Sequence, residues 1–203
     1  MTGKPEERHV PTVPVLMHIC CAPDATVAIE RLSPEYEIEA FFYDPNIHPK
    51  EEYDQRLAEM RKVAERNAIP LHEGAYDDSR WFDLARDLMD EPERGRRCEV
   101  CFRMRLEASA AFAREHGFQA FATILTVSPH KDANLVNRLG KEAGERFGIT
   151  YLPTDLKKKD GFKRSLELSR EFRLYRQDYC GCLPSLGERE RQKAGLACEK
   201  KDP

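Results

Sequence analysis

The chain has no apolar run near the roughly 18–20 residues needed to cross a bilayer as a helix. Nor does one sign of charge dominate. Its 33 Lys and Arg against 36 Asp and Glu leave a net charge of -3, so no global basic field points to nucleic acid or an anionic membrane. Only local basic patches stay open. Repeats and low-complexity tracts are absent as well, which argues against a solenoid or an array. The apolar stretch at residues 13–21 is too short for a secretory signal with its cleavage site, and it reads better as a strand. The expected location is therefore the cytoplasm, with no membrane partner. At 203 residues, one well-buried core fits and two comfortable domains do not. The reading is a polar, proline-bearing tail over residues 1–11, expected to be disordered, and a single α/β domain over residues 12–203.

What is present is cysteine, seven residues of it. In a reducing compartment disulfides are not expected, so grouped cysteines point to metal ligation or redox chemistry. Six form three tight pairs: Cys20 with Cys21, Cys98 with Cys101, and Cys180 with Cys182. Cys198 stands alone in a charged tail and reads as no ligand.

Hydrophobic periodicity places these pairs. Residues 13–20 form a nearly continuous apolar run, the pattern of a buried parallel strand. Further strands are expected at 37–43, 70–73, 119–127 and 150–153. Helices are expected from 25 to 32, around Tyr53, Leu57, Met60 and Ala64, and over 79–88, 97–117, 131–147, 162–172 and 185–194. Strand and helix alternate, which implies right-handed βαβ units: a doubly wound, mostly parallel sheet flanked by helices. Ligands in such folds gather outside the carboxyl ends of the strands. Cys20 and Cys21 fall at that end of the first strand, and Ser128-Pro129-His130-Lys131 at that end of the fourth.

Cys98-Glu99-Val100-Cys101 can present two thiolates to one metal from a helix start, where the helix dipole favours the thiolate. Gly181 lets the Cys180-Gly181-Cys182 backbone fold closely around a ligand. Vicinal Cys20 and Cys21 chelate one small ion poorly and reach two metal atoms more easily. Asp24, one turn further on, can aim its carboxylate into the same pocket. Six cysteines and an aspartate exceed the four thiolates of a single four-iron cluster, which favours a cluster beside a second metal. Other readings of the same residues are a redox dithiol at the CxxC, two structural zinc sites, a packed inert thiol pair at Cys20-Cys21, and Asp24 as a helix cap.

At Cys20-Cys21-Ala22-Pro23-Asp24 the chain resembles the cobalamin-independent tRNA epoxyqueuosine reductases. The resemblance extends through Phe42-Tyr43-Asp44-Pro45-Asn46-Ile47-His48-Pro49, Arg97-Cys98-Glu99-Val100-Cys101, Ser128-Pro129-His130-Lys131 and Leu174-Tyr175-Arg176-Gln177-Asp178-Tyr179-Cys180-Gly181-Cys182. Many relatives carry a further Cys where this chain has Asp24. The resemblance implies a fold related to adenine-nucleotide α-hydrolase-like domains, a 4Fe-4S cluster and an adjacent mononuclear iron. It also implies reduction of epoxyqueuosine to queuosine at the tRNA wobble position, with loss of water. The partners would be the epoxyqueuosine-bearing tRNA and an electron donor protein or reductant.

On this reading the metal ligands are Cys20, Cys21, Asp24, Cys98, Cys101, Cys180 and Cys182. Asp24, Tyr43, His48 and His130 are the catalytic candidates, and Asn46, Ser128, Lys131, Arg97, Tyr175 and Arg176 the substrate-binding ones. Two alternatives use similar residues. An iron–sulfur, ATP-dependent tRNA-thiolating enzyme would share the fold type, but the loop after the first strand lacks the Gly- and Ser-rich cradle for pyrophosphate. A non-catalytic zinc module binding RNA or protein would share the cysteines.

Overall fold

The computed structural model describes residues 13–199, with side chains through residue 195. The expected tail at 1–11 and the Cys198 side chain lie outside the described residues. Five strands form one parallel sheet in the order β3-β2-β1-β4-β5. They are β1 (Val13–Ile19), β2 (Tyr36–Phe42), β3 (Leu71–Glu73), β4 (Ala120–Thr123) and β5 (Thr150–Tyr151). Seven helices connect and flank them among the described residues: α1 (Ala22–Leu32), α2 (Lys50–Asn67), α3 (Asp78–Ala85), α4 (Arg96–Glu115), α5 (Ala133–Phe147), α6 (Gly161–Glu171) and α7 (Leu183–Glu199).

β1 runs through the middle because its apolar run suits a strand covered on both faces. It pairs with β2 on one side and β4 on the other. The register sets Ile19 opposite Phe42 and His18 opposite Thr123, so three strands end level. Cys20-Cys21, the 43–49 loop and the chain after β4 therefore leave one edge of the sheet together.

Local chemistry sets the element ends. β4 stops at Thr123, four residues earlier than the expected strand 119–127. The Thr123 hydroxyl accepts from the Leu125 N–H at 3.2 Å and caps a 3-10 turn over Ile124–Val127. β5 is also shorter than expected. The expected helix at 79–88 tightens into a 3-10 turn after Ala85. α5 starts at Ala133 rather than 131 because the Asp132 side chain caps it, accepting from the Asn134 N–H at 2.8 Å. It ends with Gly148 in the left-handed region (φ 65°). Within α5, a Cβ at Gly140 would fall 2.3 Å from the Tyr151 ring, so glycine is what lets this helix seat on β5.

Candidate metal and substrate site

The two chelating pairs come from different elements. Cys98 and Cys101 sit in the first two turns of α4, whose N-cap is Gly95. Cys180 and Cys182 stand just ahead of α7. All four thiols are free and border one small void of about 10 Å³, together with Asn46, Trp81 and Phe102. The Arg94 N–H donates to the Cys98 sulfur at 3.3 Å.

The CxC loop is held from three sides. Arg56, buried on α2, donates to the carbonyls of Cys180 (3.0 Å) and Tyr179 (3.2 Å). The His48 N–H donates to the Gly181 carbonyl at 2.8 Å. The Cys180 N–H donates to the Ser185 hydroxyl at 3.1 Å. Gly181 has φ 140°, and a Cβ there would meet Ile47 at 3.1 Å. Glycine is needed at this turn for both reasons.

Cys180 also faces a larger cavity of about 370 Å³, whose lining includes Cys20, Asp24, Ser128, His130, Lys131 and Arg176. Cys21 is buried directly behind Cys20, at the N-cap of α1. The vicinal thiols are electrostatically unlike. A hydrogen bond from Cys21, helped by the charges of Lys131 and Arg105, draws the Cys20 pKa down to about 6 against burial. The same bond and burial push Cys21 up. Burial raises Asp24 despite Lys131 and Arg176 nearby. Burial also raises Cys98, takes Cys101 to about 12 and takes Cys182 to about 11. These thiols bind protons firmly on their own, so metal loading must displace those protons. Burial works against the Lys131 ammonium, but Cys180, Cys20 and Asp24 more than compensate and hold its pKa above the usual lysine range.

The sequence-derived candidates divide by position. Cys20, Asp24, Ser128, His130, Lys131, Arg176 and Cys180 line the larger cavity, and Asn46 borders the thiol void with its Oδ1 unpartnered. Tyr43 leaves β2 toward the other side, stacked on Phe41 at 5.9 Å and packed over Gly74. His48 is buried between Trp81 (4.9 Å) and Phe82 (4.6 Å), and both ring nitrogens lack a partner. Tyr175 donates its hydroxyl to Glu52 at 2.8 Å at the surface. Arg97 is 1% exposed and spends its donors on the carbonyls of Met89 and Glu91 and on Glu188, bracing the 89–95 loop against α7.

Sequence reasoning missed the buried polar group beneath the site. Arg105 donates to Asp44 Oδ1 at 2.9 Å and to the Cys101 carbonyl at 3.3 Å. His18 contacts the same Asp44 oxygen at 3.5 Å and the Thr123 hydroxyl at 2.9 Å. A polar residue in an otherwise apolar strand, His18, was the one signal available.

No three His, Cys, Asp or Glu side chains among the described residues converge on a single-ion position. The four thiols around one void, drawn from two elements, instead suit a group that spans several metal atoms and takes four thiolates.

The family model described as "Epoxyqueuosine reductase QueH" matches residues 15–188. Among curated relatives, the epoxyqueuosine reductase QueH of Staphylococcus epidermidis is 40% identical over 177 residues, covering 83% of this chain and 74% of its own. That of Thermotoga maritima is 35% identical over 186 residues, covering 90% of this chain and 95% of its own. Two solved structures share the fold at low identity. One is a predicted subunit of tRNA methyltransferase from Methanocaldococcus jannaschii (TM-score 0.53, 14% identity, 78% of this chain and 75% of that one). The other is the U34-tRNA thiolase NcsA from Methanococcus maripaludis with its [4Fe-4S] cluster (TM-score 0.52, 15% identity, 94% and 67%). These two likenesses bear on the fold alone, and agree with the expected parallel sheet flanked by helices.

Proposed function

The chain belongs to the epoxyqueuosine reductase QueH family, and from that premise we propose that its two adjoining spaces divide the work of reducing epoxyqueuosine to queuosine in tRNA. The observation that carries the reading is the set of four free thiols, Cys98, Cys101, Cys180 and Cys182, around one buried void. Beside it, Cys20 and Asp24 line a cavity open to substrate. The four thiols would hold a 4Fe-4S cluster, and Cys20 and Asp24, which line the adjoining cavity, would serve an adjacent iron. When bound, such a pair supplies single electrons and a Lewis acid.

The reduction consumes two electrons and two protons: the epoxide oxygen leaves as water and an alkene remains in the cyclopentane ring. A closed-shell zinc site supplies no electrons. The chain's own groups supply the rest. Lys131 and Arg176 keep cationic charge beside Asp24 and would anchor the anionic RNA strand. His130, exposed at the cavity edge, is the imidazole best placed to deliver a proton to the departing oxygen. Tyr43 and His48 lie outside the cavity and are weaker candidates. The target nucleotide must be turned out of its stack to reach this depth.

The test is to incubate the reduced, anaerobically purified protein with tRNA containing epoxyqueuosine and analyse the nucleosides. Queuosine is the expected product, and none formed with a competent reductant would overturn the proposal. Metal analysis of the same sample separates the zinc reading. Stoichiometric zinc without iron, sulfide or visible charge-transfer absorption would end the iron–sulfur reading.

A further inference from the structure

A second chamber of about 210 Å³ opens against the larger cavity and shares Glu93, His130, Lys131 and Cys180 with it as a wall. Its apolar lining is Phe102, Pro129 and Leu135, with Cys98 beside Phe102 where the chamber meets the thiol void. Its rim is cationic, from Arg94, Lys131 and Lys157. Some exposed arginines and lysines are paired with carboxylates, as in Arg61–Glu73, Arg86–Asp83 and Arg138–Glu142, while others, such as Lys141, Lys163 and Arg170, are exposed without one. Arg94, Lys131 and Lys157 form no salt bridge to a described carboxylate. Arg94 instead donates through Nε to the His130 carbonyl at 3.1 Å, and Lys157 through Nζ to the Lys131 carbonyl at 2.8 Å. Those bonds fix the side chains along the shared wall and leave the Arg94 amino groups without a described partner. Of the chamber's two carboxylates, Asp132 is engaged as the cap of α5 and Glu93 stands on the shared wall.

We propose that this chamber is a subsite for a nucleotide adjacent to the one being reduced, its base against Phe102 and Leu135 and its phosphate at Arg94 and Lys157. The inference rests on the reading that an RNA strand delivers the wobble nucleotide to the Cys20–Asp24 cavity. The chemistry asked of the ligand is specific: a small flat apolar face joined directly to an anion. The volume falls below the roughly 300–1,000 Å³ of pockets that enclose a drug-sized ligand, and so suits one base rather than a dinucleotide. Contiguity with the larger cavity makes the two occupants neighbours on one strand. Stacking on such a lining is tolerant of base identity, while the phosphate contact positions the strand.

The test uses anaerobically purified full-length protein and unmodified anticodon stem-loop RNAs carrying an abasic residue at one or the other nucleotide flanking the wobble position. Binding is read by fluorescence anisotropy. In the wild type, one abasic position should weaken binding by about tenfold, as expected for loss of a stacked base. In Leu135→Trp, which fills the chamber, that penalty should shrink to less than about twofold. Lys157→Met should flatten the slope of log Kd against log salt by about 0.7, the value of one single-strand phosphate contact. Circular dichroism and metal content check that both variants fold.

The inference is overturned if neither abasic position weakens wild-type binding, or if the penalty is equal in wild type and Leu135→Trp. Because these RNAs carry no epoxide, the cycle is independent of turnover. Failure of the reduction itself would show only in the nucleoside assay.

Discussion

Replacing Arg105 with methionine should strip a buried carboxylate of its main partner. Asp44 is 0% and Arg105 2% exposed, and their 2.9 Å contact stands directly under the thiols. Asp44 Oδ2 and Arg105 Nη2 are already unpartnered, so the pair has no reserve of hydrogen bonds to draw on. Methionine keeps most of the volume of the stem and removes the charge. Asp44 would then face only His18 at 3.5 Å and would have to stay charged in apolar surroundings or take up a proton. Breaking such a pair typically costs about 3–5 kcal/mol. That is a large part of the roughly 5–15 kcal/mol by which a domain is stable.

Urea unfolding of the metal-free protein, analysed by linear extrapolation, should show that loss as a lower midpoint with an unchanged slope. Asp44→Asn in the same background should restore more than half of it, because the uncompensated charge is gone. A single-variant loss below about 1 kcal/mol, or a double variant as unstable as the sum of the two singles, would show that the pair is not what holds Asp44.

The same pair sets an acid limit. Burial works to raise the Asp44 pKa, but His18 and Arg105 outweigh it and hold the carboxyl below its ordinary value. Its contribution is therefore complete above the unfolded pKa near ~3.9 and is lost as pH falls through the lower folded value. Asp44→Asn should flatten the stability profile in that acid range, as measured by urea midpoints at stepped pH. Cys101→Ser should abolish visible cluster absorption and turnover together, whereas Cys198→Ser should change neither. Gly181→Ala forces a side chain into φ 140° against Ile47. It should cost about 1–3 kcal/mol and lower the iron retained per chain after gel filtration, and unchanged iron content would count against the role given to this turn.

The parallel sheet was legible because burial on both faces leaves a plain mark, the apolar run of β1, and because strand and helix alternate. That Cys20-Cys21 and the chain after β4 share one edge of the sheet could be anticipated from topology, but the level ending of β1, β2 and β4 could not, because the expected fourth strand runs to 127. Element ends could not, where a single side chain decides them. Thr123 ends β4 with its hydroxyl, and Asp132 delays α5 by two residues. Charge was the least readable property. Arg97 and Arg94 look alike in sequence, yet one is sealed inside and the other borders a cavity. Arg105, on the same helix as Arg97 and two turns further on, forms a buried pair with an aspartate 61 residues away. No local pattern encodes a partner at that separation. Tyr43 and His48 share the 43–49 loop with Asn46, but this loop turns sharply and only Asn46 borders the thiol void.

The arrangement of thiols also bears on how the site is assembled. A CxxC at the start of a helix can form as soon as α4 folds, since both residues lie within two turns. The CxC depends on Arg56, His48 and Ser185, which come from three separate parts of the chain. Neither pair alone saturates a four-iron cluster. Full ligation thus requires α2, the 43–49 loop and the start of α7 to be docked, and a bound cluster would stabilise that docking in return. Cys20 and Cys21 stand apart from this closure, in the link between the innermost strand and α1, and of the two only Cys20 reaches the open cavity. The pairs that close the void and the vicinal pair are therefore held by different parts of the fold, although Cys180 borders both the void and the larger cavity. Weakening the CxC clamp, as in Arg56→Met, should release iron from the closed set while leaving the sheet and its vicinal thiols in place. Iron quantified beside the far-ultraviolet circular dichroism of that variant would show it, and a parallel loss of both signals would refute the separation.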